Sequence, residues 1–219
     1  MMCCGNKIST AIPSVVLFAG FLSEPMPLLS RDKNEFSLAH QSTLKLDVQV
    51  YSLSGLRTQT LEAAEAEAAR LLHPITAEVR WINCSSTRLA TDCLSSQRPT
   101  TLIVRILPKA LPRVSTASLG ITDSSDRYAA AFVFYDRVLA LRTHSRLLPT
   151  MLGRVIAHEV GHLLMPGQAH LEVGLMRRQW GPDDLRIASG SSLGLPSAAV
   201  LSMQKEALRR ASGASGDFH

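Results

Sequence analysis

The chain has 219 residues, 46% of them hydrophobic and 19% charged, which is the make-up of a folded domain and excludes a disordered or fibrous chain. Its formal charge of +5 is mild, and cations such as Arg31, Arg57, Arg113, Arg177, Arg178, Arg209 and Arg210 are scattered, with few aromatics to stack on bases. That distribution argues against nucleic acid as a partner.

Near the N-terminus, Lys7 precedes an apolar run over 11–22 that Pro13 and Ser14 interrupt. The run is too short to span a bilayer and has the size of a signal-peptide core. No small-x-small site precedes Ser23-Glu24, and Phe21 stands where a lipobox would have its cysteine. Export to the periplasm or beyond is the expectation, with no other membrane segment. A mobile tail on a cytoplasmic protein is the alternative. Residues 1–45 are thus assigned to a leader or flexible segment, 46–210 to the folded domain and 211–219 to a flexible tail.

From Leu46, "LDVQVYSL" alternates apolar and polar as a half-buried strand does. "TQTLEAAEAEAARLL" (58–72) follows as an amphipathic helix with Thr58 or Thr60 as N-cap, and Glu62, Glu65 and Glu67 are expected on its solvated face. "ITAEVRWI" (75–82) is a second strand. Cys84 and Cys93 bracket "CSSTRLATDC", a short polar loop that a disulfide would close. Two free thiols are the competing reading, since pairing cannot be taken from sequence. Cys3 and Cys4 fall in the segment that export would remove. "TLIVRIL" (101–107) is a strand stopped by Pro108, "ASLGIT" (117–122) a short edge strand, and "YAAAFVFYDRVLAL" (128–141) contains another. A long helix begins near Thr150 and ends near Met165-Pro166-Gly167. "DDLRIA" and "PSAAVLSMQKEALRRA" are expected as C-terminal helices. The pattern predicts an α/β fold with a mixed twisted sheet packed against these helices.

The long helix carries "HEVGH". On a helix, residues four apart share a face, so the imidazoles of His158 and His162 can converge on one ion. Glu159 stands beside that face, where it can take a proton from a water that the metal activates without being a ligand. Leu152, Val155, Ile156, Val160, Leu163 and Leu164 cover the other sides. Two histidines and a glutamate are costly in so apolar a helix unless something satisfies them, and zinc would. The bland alternative is a pair of satisfied core histidines.

A catalytic zinc takes three protein ligands. Here the sequence resembles the metzincin metalloproteases, whose signature is H-E-x-x-H-x-x-G-x-x-H followed by a methionine turn. Met165 and Gln168 occupy the places of its glycine and third histidine, while Gly167 and His170 each come two residues late. The resemblance implies a loop longer by two residues, turned by Pro166-Gly167, with His170 as third ligand and Met176 as the turn methionine. Glu172, Asp183 and Asp184 are the competitors for the third position. Within that likeness the chain is similar to a group of bacterial, predicted exported zinc peptidases, through His158 to Leu164, His170, Gly174-Leu175-Met176 and Trp180, and upstream through "EAEAARLL", "VRWINC", "VRILP" and "FVFYDRV". What it implies is a zinc metallopeptidase acting on peptide or protein substrates through one catalytic Zn2+, with Glu159 as general base. Two other readings stand beside it: a non-proteolytic zinc protein with a structural or vestigial site, and a hydrolase of non-peptide amides. Trp180 is read as packing. Arg178 stands where some metzincins place a tyrosine, so no tyrosine-assisted role is carried over.

Overall fold

The computed structural model describes residues 44–76, 78–84, 93, 101–123, 129–141, 147–167, 170–180 and 193–212. The N-terminal segment with Cys3 and Cys4, Asp183 and Asp184, "DDLRIA", and His40, His144 and His219 lie outside them, as does all but the start of the C-terminal tail.

Five strands form one sheet: β1 (Lys45–Ser52), β2 (Glu78–Asn83), β3 (Thr101–Leu107), β4 (Gly120–Asp123) and β5 (Ala130–Phe134), in the order β2-β1-β3-β5-β4. All neighbours are parallel except the edge pair β4 and β5, which is antiparallel. The central strands explain themselves. Val48 and Val50 of β1, and Leu102, Val104 and Ile106 of β3, alternate into the core and are fully buried or nearly so, as period-two patterning requires. The mixed α/β fold expected from the sequence is the fold found. Among the described residues no helix is long and apolar enough to cross a membrane.

Helix α1 (Thr58–Leu72) packs on helix α3 (Leu148–Leu163). They meet at Gly153, where a Cβ would run into the Ala64 carbonyl and lie 2.8 Å from Glu67 Cβ. Only a glycine lets the two backbones come so close. Helix α2 (Tyr135–Leu141) follows β5 without a break, and helix α4 (Ser197–Ala211) lies near the C-terminus. Arg210 of α4 donates to the Leu163 carbonyl at 3.2 Å, which satisfies one of the acceptors left open at the end of α3. Arg137 of α2 donates to the carbonyls of Ser115, Ser118 and Val114 and lies over the Phe134 ring at 5.1 Å. One guanidinium thereby ties down the loop that delivers β4 to the sheet edge. Cys84 and Cys93 are bonded to each other and packed with Ile82 and Tyr51 in a small satellite core.

Three local expectations are corrected. Arg57, not a threonine, occupies the N-cap of α1, with no side-chain cap bond. Helix α3 starts at Leu148, because Pro149 sits in its first turn, where a missing N–H costs nothing. The glutamates of α1 do not share one solvated face: Glu65 is buried, and Glu67 is part-buried, with bonds to Arg70 at 2.8 and 2.9 Å and to the buried Arg154 at 3.3 Å. The buried stripe runs Leu61, Ala64, Glu65, Ala68, Leu71, Leu72. Glu65 falls within it by helical spacing, whatever its chemistry.

Burial raises the Glu65 carboxyl from 4.5 to about 7, against a hydrogen bond with Asn83 that pulls it down, and one of its oxygens has no partner. The folded chain therefore holds a proton that the unfolded chain releases. Its stability is intact below pH 4.5 and is lost as pH rises towards 7, by roughly 3 kcal/mol once the carboxylate is charged. A Glu65→Gln variant should melt about 5 °C or more above the parent at pH 8, with the gap closing near pH 4. A gap of the same size at both pH values in thermal denaturation would rule out the buried proton as its cause.

Candidate metal centre

Helix α3 is buried along nearly its whole length, from Leu148 to Leu163. One stripe is polar. His158 is buried, His162 half-buried, and Glu159 buried on the adjacent face. The helix ends at Leu164, and Gly167, with φ +73°, makes the left-handed turn that a side chain would resist. The chain comes back to the helix at His170.

His158, His162 and His170 are brought together. Their Nε2 atoms are separated by 3.1 Å (158 to 162) and 3.3 Å (162 to 170), and all the potential ligand atoms lie within 4.8 Å of one another. The Zn–N bond is about 2.05 Å long, so two nitrogens on a tetrahedral zinc stand about 3.3 Å apart. The observed spacings fit that edge. Glu172, a competitor for the third position, is exposed and outside this cluster.

The tautomer of His158 follows from its partner. Its Nδ1 lies 2.7 Å from the Leu175 carbonyl, which can only accept, so Nδ1 carries the hydrogen and Nε2 the lone pair. Burial pushes His158 down to about 4, helped by repulsion from His170 and opposed by the Leu175 bond. Burial likewise pushes His162 to about 4, with His158 and His170 adding to it, and burial and Arg178 lower His170. Three neutral imidazoles aimed at one point are what a divalent cation needs, without protons to displace near neutrality.

Glu159 reaches the sheet. A Cβ on Gly120 of β4 would lie 2.6 Å from its Oε1, and burial alone lifts its carboxyl to about 8. Strand β4 lies at the edge. Phe134 donates to the Leu119 carbonyl, so alternation turns the amides and carbonyls of Gly120 and Thr122 away from β5, towards the open side.

Beneath the histidines lies the turn Gly174–Arg177, closed by Arg177 N–H on the Gly174 carbonyl at 3.2 Å. Met176 is fully buried. Its sulfur occupies the space a Cβ on Gly161 would need, and its Cε would be 3.1 Å from that atom. The glycine of "HEVGH" is therefore a seat for this methionine. The sequence does not reveal the Leu175 carbonyl, Gly120 or the hydrogen bond from the Trp180 indole N–H to that carbonyl. A backbone acceptor leaves no mark in sequence, and a lone tryptophan reads as packing.

No family model matches the chain, and no curated protein does. Among solved structures it is similar to a zinc-dependent peptidase from Methanocorpusculum labreanum, with TM-score 0.50 and 12% identity over 71% of this chain and 99% of that one. It is similar too to metalloproteinase-II from Bacteroides fragilis, with TM-score 0.50 and 12% identity over 74% of this chain, which spans 53% of that protein. At such identity the likeness defines the fold, and the residues must argue the chemistry.

The seat of Met176 can be tested by a mutant cycle. Gly161→Ala should destabilise the chain by roughly 1–3 kcal/mol through overpacking, and should cost far less in a Met176→Ala background. Additive losses in urea titrations would show that the two residues do not compete for one space.

Proposed function

We propose that this protein is a metzincin-type zinc endopeptidase. One observation carries the reading: three clustered imidazoles, with His162 Nε2 at tetrahedral-edge spacing from both its neighbours, beside a buried glutamate that touches an edge strand. His158, His162 and His170 would hold one Zn2+, and Met176 would be the methionine of the turn beneath it. When bound, zinc supplies Lewis acidity, which polarises a carbonyl and makes water a stronger acid.

The remaining work belongs to the chain. An extended substrate added to β4 would pair with the outward groups of Gly120 and Thr122, which holds one peptide bond in register with the site. Because Gly120 has no side chain, the Glu159 carboxyl stands against that strand, next to where the scissile bond would lie. Glu159 takes a proton from water as the water oxygen bonds to the carbonyl carbon. It returns the proton to the nitrogen as the C–N bond breaks. Burial alone leaves Glu159 a weak acid, and a neighbouring dication would draw it back towards the carboxylate that a base must be.

We infer too that the protein is exported, in line with the resemblance to bacterial exported zinc peptidases. The bonded pair Cys84–Cys93 supports this, since disulfides persist in oxidising compartments.

Glu159→Gln should keep about one zinc per chain and lose hydrolysis of a peptide library by at least a hundredfold, the scale of a general base. Metal removal with a chelator should abolish cleavage, and added Zn2+ should restore it. Tight zinc with no hydrolysis by the parent would instead favour a non-proteolytic zinc protein.

A further inference from the structure

Trp180 does more than pack. Its indole N–H donates to the Leu175 carbonyl at 3.2 Å, the same oxygen that accepts His158 Nδ1–H at 2.7 Å. Its ring also meets the His158 ring edge-on, with centroids 5.5 Å apart and planes at 87°. We propose that Trp180 is a positioning residue that holds the Leu175 carbonyl towards His158 and so keeps His158 in the tautomer able to bind metal. The proposal rests on the zinc reading above for its purpose, though not for its geometry.

This carbonyl belongs to a peptide that is free to turn over. Gly174 to Arg177 is a four-residue turn closed across its ends, so the Leu175–Met176 peptide is its middle unit. The middle peptide of such a turn is the one that can flip, because types I and II differ mainly in its orientation. A flip would replace the Leu175 carbonyl with the Met176 N–H. Facing a donor, His158 Nδ1 would have to accept, and the hydrogen would move to Nε2, where the metal should be. The carbonyl end of this peptide is held by two donors, one from α3 and one from Trp180. Loss of the indole N–H leaves only His158 to hold the peptide that in turn orients it.

The flanks of the turn are already fixed. Gly174, with φ +73°, is packed against the Gly194 carbonyl, and Leu171 N–H donates to the Met176 carbonyl at 2.8 Å. These contacts place the ends, and a flip would in addition set Met176, the third residue of the turn, at positive φ; against that background the two donors hold the carbonyl towards His158. Sidewise, the Trp180 ring edge limits rotation of the His158 ring about its own bond.

The test uses the full chain with 15N-labelled histidine, freed of metal, at pH 7.5. Two replacements remove the N–H: Trp180→Phe, and the sulfur isostere benzothienylalanine, which keeps the bicyclic shape should the phenylalanine variant fail to fold. In the parent, His158 should be in the Nδ1–H form by nuclear magnetic resonance. In the variants it should show a substantial share of the Nε2–H form, and the dissociation constant for Zn2+, read by competition with a chelator, should rise about tenfold to a hundredfold. Lost packing alone would lower the melting temperature of the metal-free chain and leave the tautomer as it was. In a chain that takes up zinc, an unchanged tautomer or an unchanged constant overturns the proposal. If the parent binds no zinc, the tautomer alone decides: a shift upholds the lock while the peptidase reading falls.

Discussion

Three imidazoles gathered so that one nitrogen of each lies within 4.8 Å of the others form an arrangement that a protein does not hold cheaply. Nitrogens 3.1 and 3.3 Å apart, on rings kept neutral by burial, repel unless a proton or cation lies between them. Much of the surrounding structure serves to hold them there. Helix α3 is packed on almost every side, so its two histidines cannot swing apart. Arg210 ties down its last turn, and Gly161 admits Met176 beneath it. The Leu175 carbonyl dictates which nitrogen of His158 is bare. Buried polar groups on this scale are costly, and the proposed cation would offset that cost.

The sheet matters to the site through one edge. Four parallel strands present an apolar face, with Val48, Val50, Leu102, Val104 and Ile106, that packs with the helices in one core. The fifth strand, β4, reverses direction and leaves a row of backbone groups facing outward beside Glu159. Exposed edges invite unwanted pairing, and proteins keep them short. This one has four residues, is preceded by a loop held by Arg137, and places Gly120 where any side chain would push the glutamate away. A short, firmly anchored edge is in keeping with the substrate pairing proposed for it.

Legibility in the sequence followed the strength of local patterning. "TLIVRIL" was readable to the residue, since β-branched residues fill it and Pro108 stops it. The helix with "HEVGH" was readable from apolar spacing, and the meeting of His158 with His162 from helical geometry. That His170 joins them came through a resemblance that had to tolerate a longer loop, and no spacing rule alone would have chosen it over Glu172. Helix α2 went unread because it continues straight from β5, with neither Gly nor Pro to mark the change of period. The burial of Glu65 follows from the i, i+3, i+4 stripe but runs against residue type, since glutamate is seldom buried. Arg154, fully buried and paired with Glu67 across two helices, depends on a contact between distant positions that no local pattern encodes.

The three histidines are not equivalent. His158 is buried and held at Nδ1, His162 is half-buried on the same rigid helix, and His170 sits exposed on the returning loop after Gly167. A pair of ligands on adjacent turns of one helix loses little freedom when a cation binds, because the helix has already spent it. In the proposed site His170, the exposed member, would lose more freedom on binding and so set much of the entropic cost. Lengthening the loop adds little to that cost, since closure entropy grows only with the logarithm of length. Two additional residues before the third ligand are therefore compatible with a working site, provided the turn at Pro166-Gly167 aims the chain. The demanding requirements lie at the buried end, where His158, Leu175 and Trp180 must agree on the position of a single hydrogen.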